Sequence, residues 1–149
     1  MDLRDVQELA AAEMRRAGLE GTWVYRWDHA RRRAGTCRYA TNTITLSKPL
    51  MALYERAEVL EVIRHELAHA IVGPGHGHDA VWRAMARSLG AKGTTRLSDS
   101  LPKPPPNWVG TCPNGHTFER YRRPSTTNSC SRCNRRFDPR YVIAWQRAA

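Results

Sequence analysis

Two histidines four residues apart, His65 and His69, flank Glu66 in the run HELAH. Residues four apart on a helix share one face, with Cβ atoms about 5–6 Å apart, so both imidazoles can reach one metal ion. Zinc accepts imidazole nitrogen readily and prefers tetrahedral geometry. Glu66 points near the same face and can take a proton from a metal-activated water without itself occupying the metal. A second set of ligand-type residues lies towards the C-terminus: Cys112, His116, Cys130 and Cys133, spaced C-x3-H, thirteen intervening residues, then C-x2-C. Four such ligands in two close pairs suit a closed structural zinc site. A module of about 40 residues cannot bury enough core to fold alone, and metal ligation would supply the deficit.

A catalytic zinc needs a third protein ligand and an open position. The metzincin pattern requires a glycine and a histidine where this chain has Val72 and Gly75, which excludes that class. The acidic residues after Glu66 are Asp79, Asp99, Glu119 and Asp138, and none sits in a helical motif that would supply a glutamate ligand. His76 and His78 remain, one within and one directly after the helix-breaking GPGHG. His78 opens the following helix and is the better anchored of the two. His29 reads as a solvated turn residue, and Cys37 as a small buried apolar group.

The elements that must position these groups follow from periodicity. Leu3, Val6, Leu9 and Met14 give a helix over residues 2–17, with Gly18 just past its end. Trp23, Tyr25 and Trp27 share one face of a strand over 22–28. HARRRAG then makes a basic turn, and residues 36–39 and 43–46 read as two more strands joined by a tight turn, giving a small antiparallel meander. Ser47 can cap the next segment, with Pro49 in its first turn. Residues 55–72 form the helix that carries HELAH, with Val59, Ile63, Leu67 and Ala70 as its apolar stripe. A further helix over 79–89 is closed by Gly90. KPPP, within 101–107, reads as a stiff linker.

Charge divides the chain at the same place. Its net charge is +10. Residues 1–102 carry 15 Lys/Arg against 12 Asp/Glu, whereas residues 103–149 carry 9 against 2. A short segment so basic attracts polyanions, nucleic acid above all. Arg120, Arg122 and Arg123 lie between the two Cys/His pairs, and Arg132, Arg135 and Arg136 surround the second. Guanidinium forks match phosphate geometry, so these six are the expected nucleic-acid contacts. Phe118 and Phe137 are expected to pack the small core. The N-terminal stretch lacks the apolar region of a secretory signal, and no apolar run reaches the roughly 20 residues needed to span a bilayer. A cytoplasmic, reducing location is therefore expected, where four cysteines suggest metal ligation over disulfides.

Four stretches, RRAGTCRY, NTITLS, HELAHAIVG and GHDAVWRAMARSLG, together resemble the SprT-like (Spartan) family of zinc metallopeptidases, over roughly residues 1–95. The resemblance supports His78 as third ligand, with Trp82 as the aromatic that follows it in the family's segment. It implies an α+β fold: a small zincin-like metalloprotease domain over 1–100, a Pro-rich linker over 101–107, and a basic zinc ribbon over 108–149. The family's ribbons commonly place C-x2-C in the first pair, where this chain has Gly115 and then His116. The implied function is a zinc endopeptidase acting on DNA-associated or DNA-crosslinked protein, with one catalytic and one structural zinc and a nucleoid- or DNA-associated location. Substrate is expected to lie along the strand at 43–46, with Tyr39, Arg64 and His76 as unranked candidates to stabilise the oxyanion. The alternative is a non-catalytic zinc protein that binds DNA. Glu66, which a purely structural site has no need of, favours the enzyme.

Overall fold

The computed structural model describes residues 1–149 and divides into two compact units, Met1–Pro104 and Pro105–Ala149. The first unit mixes helices with a three-stranded sheet. Helix α1 (Leu3–Arg16) starts at an Asp2 cap and buries Val6, Leu9, Ala10 and Met14. Strands β1 (Val24–Asp28), β2 (Gly35–Arg38) and β3 (Thr43–Ser47) follow. Ser47 caps a single turn, α2 (Lys48–Met51), by accepting from the Leu50 N–H. The long helix α3 (Arg56–Val72) and the shorter α4 (Ala80–Ser88) complete the unit.

The sheet is not the expected antiparallel meander. Its order is β1-β3-β2, with β1 parallel to β3 and β2 antiparallel to it. The reason lies in β3, which is buried on both faces. Ile44 and Leu46 join the core on one side. Thr45 and Ser47 are buried on the other, where Thr45 bonds Asp28 and Thr36 and Ser47 donates to the Ala30 carbonyl. A strand covered on both faces and flanked by a ladder on each side is central. The strand expected to receive substrate therefore has no open edge, and β2 and β1 form the sheet's edges instead.

The core of this unit is one cluster in which Val6, Leu46, Met51 and Val59 are fully buried. A second, smaller cluster of Ala68, Trp82, Ala86 and Ala91 joins α3 to α4. Three of its four members are alanines, which lets the two helices approach closely around one tryptophan.

The second unit is a three-stranded antiparallel sheet of β4 (Trp108–Thr111), β5 (Thr117–Arg120) and β6 (Ala144–Arg147), in the order β5-β4-β6. Its core comprises Cys112, Cys130 and Ile143, with Phe118, Tyr141 and Trp145 packed against them. Gly110, at the centre of β4, lies under Trp145 and Ile143; a Cβ there would sit 2.5–2.9 Å from their side chains. Phe137 does not join this core as expected. It is 61% exposed, and Ile143, Tyr141 and Trp145 fill the space instead.

Candidate metal centres

His65 and His69 stand one turn apart on α3, and His78 comes from the loop that leads into α4. The Nε2 atoms of His65 and His69 each lie 3.1 Å from Nε2 of His78. Three imidazoles thus present the same nitrogen to one point. Burial, together with the neighbouring rings, pushes both His65 and His69 down to about 4, so at neutral pH their lone pairs are unprotonated. Converging lone pairs repel unless a cation lies between them. Tetrahedral zinc, with bonds of about 2.0–2.1 Å, would hold two ligand nitrogens about 3.3 Å apart. The donor set fits that ion.

The loop between the two helices is held by Asp79. Its Oδ1 caps α4 by accepting from the Val81 and Trp82 N–H groups at 2.9 and 3.0 Å, and its Oδ2 meets His76 Nδ1 at 2.9 Å. His78 is thereby pinned at the helix start, and His76 is tied down two residues earlier rather than facing the other rings. Trp82 forms the floor. It is fully buried, its ring lies 4.5–5.2 Å from all three imidazoles, and its Nε1 donates to the His65 carbonyl at 3.4 Å. His65 is also bonded to the backbone of Thr94. With Nε2 turned to the triad, Nδ1 is the nitrogen left for that bond, the usual way a metal-binding histidine is fixed in its tautomer.

Glu66 sits beside this triad, 7% exposed. Burial pushes its carboxyl up to about 8, and the charge of Arg33 pulls the other way. Strand β2 runs over it, with Gly35 against its side chain. The Cys37 thiol is pushed up to about 12 by burial, and the charge of Glu66 adds to that. Tyr39 donates from its hydroxyl to the His69 carbonyl at 3.1 Å; burial and the neighbouring Cys37 and Glu66 raise its phenol. Of the three candidate oxyanion donors, Tyr39 alone belongs to this neighbourhood by such contacts. Arg64 is turned to Glu13 at 2.8 Å and to the Gly90 carbonyl at 3.1 Å.

A family model described as the SprT-like family matches residues 3–102. The chain belongs to the SprT-like family. No curated protein and no solved structure matches it. This family is in general zinc metallopeptidase-like, in keeping with a donor set of three histidines on the matched span.

The second candidate centre lies outside that span. His116 Nδ1 is 3.5 Å from Cys112 Sγ and 3.4 Å from the Sγ atoms of Cys130 and Cys133, and Cys112 and Cys133 are 3.9 Å apart. Zinc bonds of about 2.3 Å to sulfur and 2.0–2.1 Å to nitrogen give tetrahedral spacings of about 3.8 Å between sulfurs and 3.5 Å from sulfur to nitrogen. All four observed distances fall close to these. The extra residue in the first pair is absorbed by Gly115 at φ +84°, which lets the Cys112 N–H reach the His116 carbonyl at 3.0 Å. Although burial opposes it, Cys112 is pulled down to about 6, chiefly by the His116 and Asn114 backbone N–H groups. Asn114 donates to Cys133 Sγ at 3.3 Å. Arg120, Arg122, Arg123, Arg132, Arg135 and Arg136 are all exposed. Arg120 lies over Trp145, Arg123 over Trp108 and Arg132 over Phe118, each at 5.6–5.8 Å. Sequence reasoning named neither tryptophan, because an isolated Trp in a turn-rich segment carries no periodicity.

Proposed function

We propose that this chain is a zinc-dependent endopeptidase of the SprT-like type, acting on protein held at DNA. The observation that carries the proposal is a triad of converging Nε2 atoms beside a buried carboxylate that is not itself part of the donor set. Zinc bound there supplies Lewis acidity, lowering the pKa of a water towards about 7 and polarising a carbonyl. His65, His69 and His78 would hold the ion through their converging Nε2 atoms. Glu66 takes the proton of the attacking water as general base and returns it to the departing amine nitrogen; a cation nearby favours its ionised form. Substrate lies extended along the β2 edge, where main-chain pairing gives binding with loose side-chain selectivity. Tyr39, on releasing its hydroxyl from the His69 carbonyl, is the donor best situated to meet the carbonyl oxygen as charge develops on it. The basic ribbon, with its arginines over aromatic rings, holds nucleic acid and so concentrates the enzyme where protein and DNA meet.

The test is incubation of wild type and Glu66→Gln with a DNA-bound protein, with and without the DNA. Wild type should cleave when DNA is present. Glu66→Gln should keep two zinc ions per chain and leave the substrate intact. Cleavage by Glu66→Gln at the wild-type rate would remove Glu66 from the role of base, and a single zinc in wild type would mean that one of the two centres does not hold the ion.

A further inference from the structure

We infer that Gly35 is the positioning residue of the catalytic base: the bare backbone of β2 at this point is the wall against which the Glu66 carboxylate is held. The inference rests on the reading of Glu66 given above. Gly35 is buried and is not among the glycines with positive φ, so chain conformation does not demand a glycine here. Space does. A Cβ on Gly35 would stand 2.9 Å from both Cγ and Oε1 of Glu66, and 3.1 Å from the Thr45 carbonyl oxygen. The strand cannot retreat easily. Gly35 pairs with Leu46 on the central strand, and the Ala34 carbonyl beside it accepts from the Ser47 N–H at 2.8 Å.

Two groups could therefore yield to an added methyl, and they differ in cost. The Thr45 carbonyl belongs to the central strand, which is paired on both sides. The Glu66 side chain can yield by rotating from Cγ outward, and its carboxylate then leaves its place beside the imidazoles. A methyl group at residue 35 thus leaves the ladder paired and displaces the base. Because β2 is also the edge proposed to carry the substrate, one residue sets the distance from carboxylate to peptide. Displacement of a reacting group by about 1 Å costs on the order of 100-fold in rate.

The experiment is Gly35→Ala in the full chain, alone and combined with Glu66→Ala. The single variant should retain both zinc ions and lose about 100-fold in kcat with KM nearly unchanged. Wild-type kcat in Gly35→Ala would overturn the inference. Thermal melting of wild type, both single variants and the double variant provides a readout independent of catalysis. Whatever Gly35→Ala costs in melting temperature should largely vanish once Glu66 has lost its Cγ and carboxylate. An equal cost in both backgrounds would show that the methyl strikes something other than Glu66, and would sink the proposal even if Gly35→Ala folded poorly. Should Glu66→Gln cleave normally while the melting coupling persists, the base assignment fails and the contact stands.

Discussion

Trp82 touches all three histidines of the candidate catalytic centre, and its indole N–H fixes the backbone of His65. Removing a buried tryptophan costs roughly 3–5 kcal/mol, and here the void would open directly beneath the donors. Trp82→Ala should lower the melting temperature and reduce metal content after gel filtration from two zinc ions per chain towards one. Trp82→Phe should keep two. Retention of both ions by the alanine variant would mean that the imidazoles hold their geometry without a floor. At this scale the sequence was legible where chemistry imposes spacing. His65, Glu66 and His69 announce themselves by one helical turn. Gly35 does not, and Trp82 is marked by the family resemblance alone, since their contribution is a contact across elements that no local pattern encodes.

Between elements, Glu13 is the main polar tie. It meets Arg64 of α3 at 2.8 Å and Arg16 of its own helix at 2.7 Å, and the two guanidiniums continue to the Gly90 and Leu89 carbonyls at the end of α4. Burial alone would raise this carboxyl, but Arg64 and Arg16 outweigh it and hold it below its ordinary value of 4.5. A carboxylate depressed in the folded state stabilises that state fully above its unfolded pKa, and the contribution drains away as pH falls below it. Glu13→Gln should therefore cost about 1–3 kcal/mol in urea unfolding at pH 7, with the gap from wild type shrinking at pH 3. A gap that stays constant with pH would assign the loss to packing rather than charge. Helix boundaries were readable because Asp2, Ser47, Asp79 and Gly90 mark them chemically. Strand order was not. Thr45 and Ser47 look like the solvent face of an edge strand, and only their partners Asp28, Thr36 and Ala30 make them an interior.

For the whole molecule, the uneven charge separates the two units in chemistry as well as in sequence. The second unit presents Arg120 and Arg123 over tryptophan rings, an arrangement suited to phosphate and base together. Replacing both with alanine should weaken oligonucleotide binding and reduce the slope of log affinity against log salt by about 1.4–1.8, according to strandedness. Fluorescence anisotropy between about 50 and 200 mM salt, a range over which such slopes are steep, reads this directly. An unchanged slope would move the contact elsewhere, Arg31 to Arg33 being the next basic run. The second unit was legible in its Cys/His cluster and its charge, while β6 was not. Ala144, Gln146 and Arg147 give no strand signal, and Trp145 finds its purpose only against Gly110.

That last pairing sets the thickness of the smaller unit. With a hydrogen in place of a side chain at Gly110, the Trp145 indole and the Ile143 side chain come down directly onto the middle strand. The module can therefore stay thin, and it has no room for growth inward: a methyl at that one site would drive Ile143 and Trp145 off the strand and into the cysteines they pack against.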